Sequence, residues 1–255
     1  MKNMTHKIVM AVAFALLAAT ACAQVAPAKT VNYAEPNSAD DAVLIEHLAF
    51  TISYVDKYKH AEWVSYMLIG EELQAAKVKR KDNFRVDPKY PNCANEKDYA
   101  KTGYDRGHLF PAANACTDII MDESFYYTNM SPQDPSLNRG TWKKMEDKVR
   151  KWAIEYDTIY VVSGAYLTDN LEVIGRDVVV PVYYYKIILV NTKKTQQAIA
   201  FFIRNGKSKT NKLQNFVFPV DIVELITGKD FCKNLDEELQ ELLEREIDTD
   251  KWSWK

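Results

Sequence analysis

The segment from Asp105 to Arg150 constrains this chain more than any other part of the sequence, because it concentrates polar residues at short intervals. It opens with Asp105-Arg106-Gly107-His108 and continues with Asn129-Met130-Ser131-Pro132-Gln133, Asn138, Trp142, Glu146 and Arg150. Histidine is a base near neutral pH, and an amide oxygen is a ligand that hard divalent cations accept. The fold must therefore bring this imidazole, this amide and the charged groups to one site.

The first residues predict a signal peptide rather than a membrane span. Lys2 and Lys7 precede an apolar run from Ile8 to Ala19, and small residues surround Cys22. Such a run is too short to cross a bilayer but suits an export signal. We expect residues 1–23 to be removed, which gives a secreted or periplasmic protein. Cleavage before Cys22 would instead leave a thiol that can carry a lipid anchor at the cell surface.

Composition predicts one folded unit after this leader. Residues 24–43 are rich in Ala, Pro, Asn and Asp, so we expect an exposed N-terminal tether, followed by a single domain over residues 44–255 with no membrane span. The formal net charge of the chain is −2. Any affinity for nucleic acid must therefore come from a local basic patch.

Cys93, Cys116 and Cys232 remain after the leader, and an odd number leaves at least one thiol outside an intramolecular disulfide. Because Cys93 and Cys116 flank the segment from Asp105 to His108, a disulfide between them is one hypothesis for how that segment is held. The scattered cysteines and histidines do not have the spacing of a zinc site.

Clusters of β-branched and aromatic residues predict strands, and apolar residues at helical spacing predict helices. The expected strands are Glu62 to Ile69, Thr158 to Val162, Val178 to Val190 and Gln197 to Ile203. The expected helices are Arg139 to Glu155, Val220 to Thr227 with Gly228 as its cap, and Leu235 to Ile247 with an apolar face of Leu235, Leu239, Leu242, Leu243 and Ile247. Together they predict an α+β fold with a central, mainly antiparallel sheet flanked by helices.

The helix from Arg139 to Glu155 is the most informative of these. With about 100° of rotation per residue, its apolar residues form one buried stripe, made of Trp142, Met145, Val149 and Trp152. Asn138, Glu146 and Arg150 fall beside that stripe. We therefore expect these three polar side chains to project along one margin of the helix toward a shared cleft.

The ordered set of polar residues resembles the DNA/RNA non-specific endonuclease family of the ββα-metal (His-Me finger) superfamily, which is related to mitochondrial endonuclease G. The family pattern is Asp-Arg-Gly-His with a nearby Pro, an Asn after Ser or Thr, a Pro-Gln pair, an Asn, a Trp and a Glu. The matching residues are Asp105 to His108, Pro111, Thr128-Asn129, Pro132-Gln133, Asn138, Trp142 and Glu146. Weaker likeness extends from Trp63 to Phe231. The resemblance implies a ββα-metal motif at the active site.

The resemblance also implies a role for each central residue. His108 is the general base, Asn138 binds Mg²⁺ directly, and Glu146 holds the metal through water; Mn²⁺ or another divalent cation is an alternative ion. Each residue has a purely structural reading as well. His108 could be a satisfied core histidine, Asn138 a helix N-cap, and Glu146 with Arg150 a solvated i,i+4 pair.

Neighbouring residues have implied supporting roles. Arg106 and Arg150 grip phosphate oxygens through the planar guanidinium group, although either suits a structural ion pair equally well. Asp105 fixes the loop that presents His108. Asn129 and Gln133 support the metal waters and the histidine loop through hydrogen bonds, and Asn129 also begins a glycosylation sequon.

The chain departs from the family before the motif. Some members place an arginine that contacts phosphate directly before an Asn-aromatic pair, whereas here Asp82 precedes Asn83-Phe84. Arg80 is the candidate to replace that arginine. Phe110 stands where alanine is common and adds bulk beside the histidine.

Two groups of basic residues are candidates for an electrostatic footprint on nucleic acid. The first contains Lys77, Lys79, Arg80 and Lys81, and the second contains Lys207, Lys209 and Lys212. Contacts with phosphate would make binding weaken with salt. The alternative for either group is ordinary solvated surface.

These residues predict an exported, metal-dependent endonuclease that hydrolyses DNA and RNA with little sequence preference. The resemblance implies products with 5′-phosphate and 3′-hydroxyl ends. Two alternatives are a non-catalytic nucleic-acid-binding module and a hydrolase of small phosphodiesters or nucleotides. A homodimer is compatible with the sequence.

Overall fold

The computed structural model describes residues 32–76, 78–210 and 212–254, and a seven-stranded antiparallel sheet lies at its centre. The strands of this sheet are β1 (Ala42–Glu46), β2 (Phe50–Val55), β3 (His60–Ile69), β6 (Thr158–Tyr166), β9 (Tyr183–Asn191), β10 (Gln196–Arg204) and β11 (Val217–Phe218), in that spatial order. Each strand pairs antiparallel with its neighbours. The predicted fold class is confirmed.

Short hairpins and helices cover this sheet. The hairpins are β4 (Asp105–His108) with β5 (Met130–Gln133), and β7 (Val173–Ile174) with β8 (Val178–Val179). The helices are α1 (Gly70–Ala75), α2 (Glu96–Tyr99), α3 (Asp118–Ser124), α4 (Lys143–Glu155), α5 (Val220–Thr227) and α6 (Glu237–Arg245). Among the described residues, none of the helices is both long and apolar enough to span a bilayer.

Both faces of the sheet are buried, which explains why its strands are apolar almost throughout. Val64 and Ile188 belong to the core on one face, together with Met145 and Trp152 of α4. Trp63, Ile187 and Leu189 belong to the core on the other face, which α5 and α6 cover. Side chains alternate between the faces of a strand, so consecutive residues enter opposite cores.

The hairpin and helix expected from the polar segment are present. β4 and β5 pair antiparallel, and Asp105 lies opposite Gln133. A wide π-helical turn, Leu137–Trp142, follows and leads directly into α4. The predicted stripe is buried, since Trp142, Met145, Val149 and Trp152 are each at most 2 % exposed.

The structure corrects the expected N-terminal tether. Residues 1–31 lie outside the described residues, and so does the expected signal peptide. Within residues 32–43, however, Ala34 is fully buried in the core beneath α5 and α6, and Ala42 already begins β1. The described part of the expected tether is therefore packed against the domain, because even this polar segment supplies an apolar residue to the core.

Two predicted elements have different bounds. The strand expected over Val178 to Val190 is divided into β8 and β9, and Pro181, which lacks an N–H group, lies between them. The last helix is shorter than expected, and Leu242 is 64 % exposed although we placed it on the apolar face. Leu243, which the prediction placed on the same face, is buried.

The hypothesis of a disulfide between Cys93 and Cys116 is wrong. Cys93 is buried in the core around β2 and β3 as a thiol, and Cys116 Sγ lies 3.9 Å from Glu72 Oε2. Packing therefore holds the segment around His108 without this crosslink.

Candidate active site

Strands β4 and β5 approach each other closely at Gly107. A Cβ atom at this position would overlap the Gln133 side chain, so any residue other than glycine requires that buried side chain to move. Gln133 is fully buried, and neither its amide oxygen nor its amide nitrogen has a hydrogen-bond partner among the described residues. Because buried polar atoms are normally satisfied, these two atoms are suited to contact a bound water or ligand.

His108 lies at the end of β4 in an aromatic pocket. Its ring centroid is 4.9 Å from that of Phe125 and 5.8 Å from that of Phe84. Burial, together with the positive charges of Arg80 and Arg106, lowers the pKa of His108 to about 3. The imidazole is therefore neutral near pH 7 and able to accept a proton. Its Nε2 atom is buried without a partner in the described part of the chain.

Asn129 fixes the backbone that follows His108. Its Oδ1 accepts a hydrogen bond of 2.8 Å from Phe110 N, and its Nδ2 donates to Phe110 O at 2.9 Å and Ser124 O at 2.8 Å. The side chain is fully buried. This geometry suits support of the histidine loop, whereas contact with metal waters or glycosylation would require an exposed side chain.

Asn138 is held by a carboxylate rather than by helix capping. Its Nδ2 donates a hydrogen bond of 2.9 Å to Asp105 Oδ2. Its backbone N–H already donates to Asp134 O, and the residue lies inside the π-helical turn, so it is not an N-cap. Arg139 donates to both oxygens of Asp105. Although burial opposes ionisation, hydrogen bonds from Arg139 and Asn138 lower the pKa of Asp105.

A cavity of about 370 Å³ connects several of these groups. Its lining residues are Arg80, Asp82, Phe84, Glu96, Tyr99, Ala100, Tyr104, Asp105, Arg106 and Asn138. The Arg106 guanidinium lies 3.9 Å from the Phe84 ring centroid, and that of Arg80 lies 5.0 Å from the Phe125 ring centroid. Stacking therefore orients both cations around the histidine pocket.

Asn138 lines this cavity, but Glu146 and Arg150 do not. The predicted cleft shared by these three residues is therefore not this cavity. Arg150 forms an ion pair with Asp147 and donates a hydrogen bond of 3.2 Å to Asn114 Oδ1. The predicted positions of these side chains assumed a regular α-helix from Asn138 onward. The π-helical turn, with non-helical backbone at Gly140, changes the phase between Asn138 and α4.

Lys186 is the residue near this site that the sequence reasoning missed. It lies within β9, is fully buried, and donates hydrogen bonds to Tyr66 OH and Ser163 Oγ. Its Nζ is 4.6 Å from the centroid of the Trp142 ring. A lysine in an otherwise apolar strand was the available signal, because lysine is rarely fully buried.

Glu146 and Lys186 influence each other's ionisation. Burial raises the pKa of Glu146, and the positive charges of Lys186 and Arg150 oppose that rise. Burial lowers the pKa of Lys186, and the charge of Glu146 opposes that fall. The positive charge of Lys186 thus favours the carboxylate form of Glu146.

The side chains around Asn138 fit a hydrated hard cation. Because the amide nitrogen of Asn138 faces Asp105, its oxygen faces away, and this oxygen accepts no hydrogen bond from any described residue. Mg²⁺ prefers oxygen ligands and keeps several of its waters, so one amide oxygen with nearby unsatisfied polar groups is a suitable set. The described residues contain only one group of three or more His, Cys, Asp and Glu side chains close enough to share an ion, namely Asp221, Glu224 and Glu244 on α5 and α6.

Comparison with known proteins places this arrangement in a family. The family model for DNA/RNA non-specific endonucleases matches residues 27–238. Nuclease C1 of Cunninghamella echinulata var. echinulata is 30% identical over 224 residues, which cover 81% of this chain and 88% of the relative. A nuclease of Nostoc sp. is 31% identical, with 82% of this chain and 80% of the relative covered.

Mitochondrial proteins are also similar to this chain. Human mitochondrial endonuclease G is 28% identical over 204 residues, which cover 73% of this chain and 68% of the relative. A crystal structure of the EndoG/EndoGI complex superposes with a TM-score of 0.75 at 26% sequence identity, and covers 85% of this chain and 96% of that chain. The likeness therefore extends over most of the fold as well as the polar segment.

Proposed function

We propose, on the premise that this chain belongs to the DNA/RNA non-specific endonuclease family, that it is an exported, metal-dependent endonuclease that hydrolyses phosphodiester bonds of DNA and RNA with little sequence specificity. The named relatives are nucleases. The observation that carries the proposal is a neutral, buried His108 whose ring packs against Phe84, a residue that lines the same cavity as Arg106 and Asn138.

His108 is the proposed general base. Its less buried ring nitrogen, Nδ1, would take a proton from the water whose oxygen attacks phosphorus. The bond from phosphorus to the 3′ oxygen then breaks, and that oxygen leaves as a 3′-hydroxyl after gaining a proton, while the other strand end keeps a 5′-phosphate. Arg106 and Arg80 would hold the phosphate oxygens beside the imidazole, since both guanidinium groups border the cavity.

Asn138 would hold Mg²⁺ directly through Oδ1, and Glu146 would hold it through water. The ion supplies stabilisation of the negative charge that develops on the phosphate and the leaving oxygen. Asp105 keeps the Asn138 amide in its orientation, Asn129 supports the loop that follows His108, and the unpartnered amide of Gln133 would contact water at the metal site. Arg150 would grip phosphate only after exchanging its present partner Asp147 for the substrate.

Purified protein incubated with supercoiled plasmid or with RNA, in Mg²⁺ or in EDTA, tests this proposal. We expect cutting of both polymers in Mg²⁺ and none in EDTA. His108→Ala is expected to lose a factor of about 10² to 10⁴ in kcat while retaining duplex affinity and its unfolding temperature. The two retained properties separate loss of the base from loss of the fold.

Three results would contradict the proposal. Retention of DNA without any cleavage favours a binding module. Turnover of bis-nitrophenyl phosphate without cleavage of polymers favours a hydrolase of small phosphodiesters. Cutting that persists in His108→Ala removes this imidazole from the mechanism.

Export is proposed from residues 1–23 alone, since some relatives are mitochondrial proteins. Expression of the full chain in a Gram-negative host, followed by mass spectrometry of the periplasmic protein, measures the new N-terminus. Chain that keeps residues 1–23 in the cytoplasm contradicts export. An acylated Cys22 identifies the lipid-anchored form.

A further inference from the structure

Asn205, at the end of β10, anchors the following loop to the active-site hairpin. Its Oδ1 accepts a hydrogen bond of 2.7 Å from Asp134 N, and its Nδ2 donates to Pro132 O at 3.0 Å. The carbonyl of Asp134 in turn accepts the backbone N–H of Asn138 at 2.9 Å. The loop after Asn205 therefore leaves the sheet directly beside the turn that carries Asn138.

This loop is positively charged and its charges are open to solvent. We call Arg204, Lys207, Lys209 and Lys212 the basic loop; all four are exposed, and none forms an ion pair with another described residue. No Asp or Glu occurs between Asp177 and Asp221 in the sequence. Acidic neighbours along the chain therefore do not neutralise these cations.

In the other basic group, Arg80 and Lys81 lie next to carboxylates that pair with them. Arg80 forms an ion pair with Asp82, and Lys81 lies 3.1 Å from carboxylate oxygens of both Asp118 and Asp122. Local carboxylates thus offset part of the charge of that group. The two basic groups are equivalent candidates by sequence, but the structure favours the basic loop as the surface that attracts an anionic polymer.

We propose that the basic loop binds backbone phosphates of the nucleic acid several nucleotides from the scissile bond, and so holds the strand across the site. This inference rests on the proposed function, because a polymer substrate is what would reach from the cavity to the loop. Lysine contacts with phosphate release counterions, which adds affinity without reading the base sequence. Attachment of the loop to Asp134 favours a substrate strand over an anionic membrane as its partner.

The same two strands provide a matched control. Lys193 and Lys194 lie in the exposed turn between β9 and β10, whereas Lys207 and Lys209 follow the opposite end of β10. Nine-residue strands separate the two ends by roughly 30 Å. Lys207→Gln/Lys209→Gln and Lys193→Gln/Lys194→Gln therefore remove equal charge from the two ends of one hairpin.

Affinity for a duplex of about 30 base pairs is measured in EDTA between about 50 and 200 mM NaCl. We expect the slope of log Kd against log salt to fall by about 2 in Lys207→Gln/Lys209→Gln, at roughly 0.9 per lost phosphate contact, and to be unchanged in the control variant. In Mg²⁺, the same variant should show a KM for duplex raised about tenfold at the higher salt, with kcat unchanged.

An unchanged salt slope in Lys207→Gln/Lys209→Gln overturns the inference, and so does an equal loss in the control variant. Loss of binding to vesicles that contain phosphatidylserine, with duplex affinity unchanged, overturns it in favour of a membrane partner. Failure of the wild-type protein to cut any polymer in Mg²⁺ overturns the proposed function, a result that the binding slope in EDTA does not depend on.

Discussion

The amide nitrogen of Asn138 donates a hydrogen bond to the carboxylate of Asp105, at 2.9 Å from Oδ2. Because hydrogen bonds lower the pKa of Asp105, its carboxylate is ionised at neutral pH and accepts only a donor. The NH₂ group of Asn138 must therefore face Asp105, and its oxygen must face away. One ion-paired aspartate thus determines which atom of the amide a metal ion meets.

Asp105→Asn should weaken Mg²⁺ activation, because asparagine does not demand a donor and the Asn138 amide can then turn. By analogy with other groups that orient metal ligands, we expect the half-saturating Mg²⁺ concentration to rise about 10- to 100-fold. Cleavage rates measured over a Mg²⁺ titration test this. Arg139→Gln, which keeps the bond between Asp105 and Asn138, should have a smaller effect; equal effects would contradict the orienting role.

Gly107→Ala should destabilise the hairpin, since the added methyl group overlaps the buried Gln133 side chain. Overpacking of this kind costs about 1 to 3 kcal/mol, measurable by urea unfolding. In a Gln133→Ala background, Gly107→Ala should lower the free energy of unfolding by less, because the colliding atoms are gone. If the losses of the two single variants simply add in the double variant, this contact is not responsible.

The pKa values of His108 and His47 should be shifted in opposite directions. Burial and the nearby arginines lower the pKa of His108 to about 3, so its ring should stay neutral as the pH falls to about 5. His47 is buried too, but its hydrogen bond to Asp87 and the nearby charges of Asp87 and Glu123 raise its pKa, so it should be protonated in the same range. Imidazole ¹⁵N chemical shifts distinguish the two forms, and a His108 ring that protonates near pH 6.5 contradicts the expectation.

Lys186→Met should alter the pH dependence of cleavage and also lower stability. The substitution removes the hydrogen bonds of Lys186 to Tyr66 and Ser163 and leaves the buried Glu146 without the positive charge of Lys186. Loss of the positive charge should raise the pKa of Glu146 further, so fewer molecules carry the carboxylate at low pH. The fall in kcat/KM should therefore be larger at about pH 6 than at about pH 9; an equal fall at both would rule out this electrostatic role.

Glu244→Gln should remove part of the loss of stability at alkaline pH. Burial and the charge of Glu224 raise the pKa of Glu244 to about 8, and burial raises that of Glu224 to about 7. The folded protein therefore binds protons that the unfolded chain has released. The stabilising contribution of these two carboxyl groups is complete below the ordinary glutamate pKa of 4.5 and is lost as the pH rises through about 8.

Thermal unfolding at about pH 6 and pH 9 measures how far stability falls between these two pH values. After allowance for partial solvation, we expect this fall to be smaller in Glu244→Gln by on the order of 1 kcal/mol. Glu241→Gln removes an exposed carboxylate from the same helix and serves as the control. A control variant that matches Glu244→Gln would assign the effect to net charge instead.

Sequence pattern and structure agree only in part along the polar segment from Asp105 to Arg150. The period of the apolar residues placed Trp142, Met145, Val149 and Trp152 in the core correctly. The same period treats the segment from Asn138 as a regular helix, whereas a π-helical turn intervenes before α4, and Glu146 and Arg150 are not among the residues that line the cavity next to Asn138. The widened turn accompanies the contacts of Asn138 and Arg139 with Asp105, which lies on a distant part of the chain.

By itself, the sequence determined the family, the antiparallel sheet and the order of hairpin and helix, because these follow from local spacing and from the alternation of side chains along strands and helices. Only the tertiary structure decided that Arg139 holds Asp105, that the charge of Lys186 acts on Glu146 and that Asn205 joins the basic loop to the hairpin. Each of these contacts joins residues far apart in sequence, and local pattern carries no information about such pairs. Burial then made them consequential, since charge and hydrogen bonding act most strongly where water is excluded.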